Sequence, residues 1–185
     1  MREIRCLGCG ATVPDATGPV HAYMLAAPGC WSLYCSLLEW RSSLTDSENG
    51  AAAQHLIDAY AAQHATNPER RNRQSVAVHL MSLCAALERG IDGARLRHLI
   101  GGWTHREYPL LLPRPASYSV TVADVAATAS EDRPAAVVAW AGSTWAAWSA
   151  HGDLVRSWLV DALAAGPVSG SRSRAAGRAR SGPSR

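Results

Sequence analysis

The stretch 69–90, ERRNRQSVAVHLMSLCAALERG, decides the fold class. Val76, Leu80, Leu83, Cys84 and Leu87 fall at i, i+4, i+7, i+8 and i+11, the spacing that puts apolar side chains on one face of an α-helix. Gly90 stands where a left-handed C-cap residue ends such a helix. The spacing predicts a helix over 69–89, and the same signals recur on both sides of it.

Upstream, residues 51–64 place Ala53, Ile57, Tyr60, Ala61 and His64 on one face, ahead of a stop at Asn67-Pro68. Further back, Pro28-Gly29 opens a helix to about Arg41, with Trp31, Tyr34, Leu37 and Leu38 or Trp40 turned inward. Downstream, Asp92 caps a short helix to Ile100, which Gly101-Gly102 should end. Thr121 with Asp124 forms a capping box with Asp in place of Glu, opening VADVAATA. Pro134 starts a last helical stretch carrying Trp140, Trp145, Trp148 and Trp158, with a possible break at His151-Gly152-Asp153. Strand signals are confined to a short pair flanking the first cysteines. The expected architecture is mainly α: a helical bundle over 30–165, preceded by a small zinc-knuckle-like module over 1–29 packed on that body. An Arg-, Ser- and Gly-rich tail over 166–185 reads as disordered.

The 185 residues suffice for one real core. Phe is absent and Trp occurs seven times, so Trp must supply the large aromatic packing. All 18 cations are Arg. Five of them lie in the tail, which leaves 13 against 15 Asp plus Glu in the body. A mildly acidic body argues against nucleic-acid binding except through the tail. No apolar stretch approaches the ~20 residues that span a bilayer, and no signal peptide is visible. The expectation is therefore a cytoplasmic protein without membrane association, in which a CxxC pair reads as a metal or redox motif.

That pair opens the chain. Cys6-Leu7-Gly8-Cys9-Gly10 has the form of a zinc knuckle: two intervening residues let both sulfurs face one ion, and the glycine permits the turn behind them. His21 and Cys30 are the nearest further ligands, giving C-x2-C-x11-H-x8-C. Cys30 stands at a helix start, where the macrodipole favours a thiolate. Cys35 is a rival fourth ligand, but one and a half turns on it faces away from Cys30. A redox couple would want a βαβ context, which is missing. One zinc per chain is expected, although iron uses similar ligands. Three thiolates make a poor electrophile and a good staple, so a structural role is favoured.

A second constellation lies in the helices. His64 sits on an apolar face, His79 borders the stripe of the 69–89 helix, and His151 shares a face with Trp148, Val155 and Trp158. Together they are candidates for a metal triad or a general base, with Gln74 or Tyr60 orienting a substrate. Singly, each reads as a core or boundary histidine. His55, His98 and His105 read as surface or loop residues, and Cys84 as an inert core thiol. Arg70, Arg71 and Arg73 open their helix at the end the dipole disfavours for cations, and read as a solvated face.

The run CLGCGATVPDATGPVHAYMLAAPGCWSLY, followed by DAYAAQH and QSVAVHLMSLCAALERG, resembles a bacterial family of small proteins of unknown function. Its pattern combines CxGCG, GPxHxY, PGCW, DAYAxQH and QSVxxHL, and the late AWAGSTWAAWSAHGDLVRSWL is similar as well. The resemblance covers about residues 6–160. It implies roles for Cys6, Cys9, His21, Cys30, His64, Gln74 and His79, and implies no activity; Cys35 and Cys84 match no motif position. The leading reading is a zinc-binding accessory or binding module with an unidentified protein or small-molecule partner. The alternative is a metal-dependent, hydrolase-like enzyme using the helical histidines beside the knuckle.

Overall fold

The computed structural model describes residues 2–44, 46–65, 69–108 and 112–165, with residues 46–51 as backbone only. The expected tail and the Asn67-Pro68 stop lie outside the described residues. Two strands come first, β1 (Glu3–Arg5) and β2 (Thr12–Pro14), paired antiparallel with Ile4 opposite Val13. Seven α-helices follow among the described residues: α1 (Pro28–Ser42), α2 (Asp46–Gln63), α3 (Arg70–Arg89), α4 (Gly93–Trp103), α5 (Val122–Ala127), α6 (Arg133–Ala147) and α7 (Gly152–Ala164). The fold is mainly helical, with a small N-terminal two-stranded sheet.

Helix α2 runs through the middle, against α6, α3 and α4. It divides the interior into two cores. On one side Leu56, Ala59 and Tyr60 join Cys6, Cys9, Val13, Cys30, Tyr34, Leu37, Val137 and Trp140, so the hairpin, α1, α5 and the start of α6 share one core. On the other, Ala62 meets Leu80, Leu83, Cys84, Leu96, Trp103, Trp148 and Leu159, from α3, α4, the α6–α7 junction and α7. Trp103, Trp140 and Trp148 are fully buried and occupy places Phe would otherwise fill. Each removes ~150–250 Å² from water, worth roughly 4–6 kcal/mol at ~25 cal/mol per Å².

Helix α3 ends as its sequence predicts. Gly90 adopts φ 61°, and the N–H groups of Gly90 and Ile91 return to the carbonyls of Ala86 and Ala85. Outside this helix Glu88 receives Arg156 at 2.8 Å and Trp145 Nε1 at 3.0 Å, tying α3 to α7 and α6. The capping box of α5 also forms, with the Thr121 N–H donating to Asp124 at 2.7 Å.

Two helix bounds depart from expectation, and the open alternative in the last helical stretch resolves as a break. Helix α2 begins at Asp46 rather than near 51. Gly101-Gly102 does not end α4, which continues one residue to bury Trp103 at 2% exposure. The last helical stretch divides at Ser149–His151, a single 3-10 turn, and Gly152 starts α7. No helix of the described residues is long and apolar enough to cross a membrane.

Candidate metal centre

Three segments far apart in sequence deliver four donor atoms to one point. The hairpin supplies the first two: Cys6 follows β1, and the turn through Leu7 and Gly8 brings Cys9 round. The Gly10 N–H closes onto the Cys6 carbonyl at 2.9 Å, with Gly10 at φ 81°, a left-handed conformation that favours glycine. Cys30 comes from the first turn of α1, two residues after Pro28, where the helix dipole favours a thiolate. His64 stands just beyond the C-terminal end of α2.

The donor atoms of Cys6, Cys9, Cys30 and His64 all lie within 4.8 Å of one another, and all four residues are buried. Cys9 Sγ is 3.8 Å from Cys30 Sγ, and His64 Nε2 is 3.2 Å from Cys30 Sγ and 3.6 Å from Cys6 Sγ. For an ion ~2.3 Å from sulfur and ~2.0–2.1 Å from imidazole nitrogen, a tetrahedron sets S···S near 3.8 Å and S···N near 3.6 Å. The Cys9–Cys30 and Cys6–His64 separations match that spacing and Cys30–His64 is shorter, at 3.2 Å; the four donors together could hold one metal ion.

The surroundings prepare these groups as ligands. The Nδ1–H of His64 donates to the Tyr60 carbonyl at 2.7 Å, which leaves the Nε2 lone pair free to face the sulfurs. Its ring stacks on Tyr60 at 4.0 Å, and Tyr60 stacks on Tyr34 at 3.9 Å. The Ala27 N–H points at Cys6 Sγ, 3.5 Å away, a contact that favours the thiolate. Gly8 has no room for a side chain, since a Cβ there would meet the Leu25 carbonyl at 2.1 Å and the His64 ring at 2.4 Å.

Without a metal the three buried thiols shift one another in opposite directions. Cys6 accepts hydrogen bonds from Cys30 and Cys9 and is held far below the ordinary thiol range. Cys30 donates to both and, being buried, is pushed far above it. A bond with Cys30 pulls Cys9 down, but Cys6 and burial outweigh it and push Cys9 up to about 12. A divalent cation would relieve that repulsion.

Cys6, Cys9 and Cys30 come together as the spacing predicts; His21 does not join them. It sits in the 21–24 turn, half-buried, with its Nδ1 accepting the Tyr23 N–H at 3.2 Å and its ring 5.6 Å from that of Trp31. His64 takes the fourth place because α2 ends against the knuckle, where its carbonyl also accepts the Leu25 N–H at 3.0 Å. The signal in the sequence is a histidine in an otherwise apolar stripe, which the structure buries fully. Cys35 is half-buried on another face of α1, and Cys84 packs in the second core.

The helical histidines are dispersed. His64 belongs to the cysteine cluster. The Nδ1–H of His79 donates to Asp58 at 2.8 Å, and the same fully buried carboxylate accepts from Ser82 at 2.5 Å and Gln54 at 2.8 Å. His151 Nε2 bonds the Pro113 carbonyl at 3.1 Å. Gln74 donates to the carbonyls of Thr104 and Arg106, fastening the end of α4 to α3. His55, expected at the surface, is buried at 6% exposure, because α2 is enclosed on almost every side. Burial lowers its pKa, with Asp58 opposing the shift. Arg71 reaches the Tyr23 hydroxyl and Arg70 pairs with Glu107, so the arginines opening α3 serve local contacts.

No curated protein and no solved structure matches this chain. The model of a family of unknown function, DUF5946, matches residues 4–149, a span that holds β2, all of β1 but its first residue, and all four clustered donors, and the chain belongs to that family.

Proposed function

We propose that Cys6, Cys9, Cys30 and His64 hold one structural zinc ion, and that the protein acts as a zinc-stapled binding or accessory module in the bacterial cytoplasm. The observation that carries this reading is the donor set: four buried protein donors gathered within 4.8 Å of one another, enough to fill a tetrahedral zinc site with no position left for water or substrate. Three thiolates and one imidazole suit zinc, and the complex carries one net negative charge. Such an ion would join the hairpin, the start of α1 and the end of α2, three segments with little other covalent or strand-based connection. The hydrolase-like alternative puts His64 and His79, with or without His151, in one pocket beside the knuckle; that these histidines bond separate partners favours the structural reading over it.

Elemental analysis of untagged protein, purified without added metal, tests the proposal. About one zinc per chain is expected. His64→Ala should lose it and His21→Ala should keep it, and a strong chelator should lower the melting temperature of the wild type steeply. Metal retained in His64→Ala, or an unchanged melting temperature after zinc removal, would overturn the reading.

A further inference from the structure

Beside the metal centre lies a cavity of about 260 Å³, between the knuckle and the segment 114–118. Its lining includes Arg5, Gly8, Gly10, Arg114 and Ser117, and no Asp or Glu is among the lining residues. The Arg114 guanidinium arrives from more than 100 residues away in sequence. It donates through one nitrogen to the Leu7 carbonyl at 2.7 Å and the Gly8 carbonyl at 3.3 Å. Arg5 lies against the same turn, where a Cβ on Gly10 would stand 3.5 Å from its guanidinium. No described residue forms an ion pair or hydrogen bond with the Arg5 side chain. Two arginines thus line a concavity whose other walls are the Cys6–Gly10 turn, with the two cysteines of the metal centre, and the hydroxyl-bearing residues Ser117, Tyr118 and Thr121.

From this arrangement we infer that the cavity is a binding site for the oxyanion group, phosphate or carboxylate, of a small molecule. The inference goes beyond the structural zinc. A zinc ion with three thiolates carries one negative charge, which one arginine balances, so the pair leaves a net positive charge at the cavity. Guanidinium groups present parallel N–H donors that match a phosphate or carboxylate in two-pronged fashion. Gly10 brings bare backbone beside the Arg5 guanidinium, so an anion can approach closely there. The volume lies just under the ~300–1,000 Å³ of pockets that take drug-sized ligands, which fits a small metabolite.

The test titrates inorganic phosphate and, separately, acetate into zinc-loaded full-length protein at constant ionic strength, followed by amide NMR. Saturable shifts at Gly8, Gly10 and Ser117 are expected with one of the two. Phosphate saturating at the lower concentration assigns a phosphate ligand, and acetate doing so a carboxylate ligand. Arg5→Gln and Arg114→Gln should each weaken that binding roughly ten-fold, the worth of one charge-assisted hydrogen bond. Zinc content, measured on the same samples, should stay unchanged. Arg5 is exposed and makes no contact the fold needs, so its variant carries the test if Arg114→Gln unfolds. Shifts absent from these amides with both anions, or binding undiminished in Arg5→Gln, would overturn the inference whatever the zinc content.

Discussion

His64 Nδ1 lies 2.7 Å from the carbonyl oxygen of Tyr60, one helical turn back. That bond fixes which ring nitrogen is a donor, so only Nε2 can face the sulfurs. Cadmium-113 substituted protein should therefore show scalar coupling from the metal to the His64 ring through Nε2. Its Nδ1 should carry a proton protected from exchange. Coupling through Nδ1, or to the His21 ring, would contradict the arrangement.

The thiol charges predict how binding responds to pH. With Cys9 pushed up to about 12 and Cys30 higher, both are protonated at neutral pH before a metal enters, whereas Cys6 is not. Loading the ion then expels two protons. Apparent affinity should fall on acidification, roughly 100-fold per pH unit between about pH 6 and 8. A titration in weak buffer with a pH indicator should count two protons per zinc. A count of zero would mean that the thiols are ionised already.

Glycine positions separate the site from the scaffold. At Gly8 an added Cβ meets a backbone carbonyl at 2.1 Å and the His64 ring at 2.4 Å, and neither can yield without moving a ligand. Gly8→Ala should cost more than ~2 kcal/mol and lose the metal. At Gly101, within α4, an added Cβ meets nothing within 4 Å, so Gly101→Ala should stabilise by ~0.5–1 kcal/mol with metal content unchanged. Chemical denaturation and metal analysis of the two variants decide both points.

What the sequence made legible follows from the range of the forces involved. The α3 stripe and its Gly90 cap are local patterns, and they predict that helix almost to the residue. The Cys6–Cys9 pair is equally local, and the proline before Cys30 marks the helix start that delivers the third sulfur. The fourth donor depends on where the end of α2 meets the knuckle, a contact between residues 58 apart, and nearness in sequence favours His21 instead. His55 misleads for a related reason. Periodicity assigns a helix one buried face, and α2 is enclosed by α6, α3 and α4 as well as the N-terminal core. Gly101-Gly102 carries a local stop signal that burial of Trp103 overrides.

The same tertiary logic places Asp58, a carboxylate with no exposure at all, between α2 and α3. It accepts hydrogen bonds from Gln54, His79 and Ser82, two at Oδ1 and one at Oδ2. Removing the acceptor strands three donors in a closed interface, so Asp58→Ala should cost ~3–5 kcal/mol. Asp58→Asn retains the shape and the Oδ1 acceptor. Its amide then faces the Ser82 hydroxyl, which can rotate and accept instead of donate. That variant should cost only ~1 kcal/mol. Zinc content should be unchanged in Asp58→Asn, since this network and the metal centre share no residue. Equal losses in Asn and Ala would mean that the negative charge, rather than the acceptor geometry, holds α2 to α3. Denaturation midpoints for the two variants, with Ser82→Ala for comparison, separate these cases.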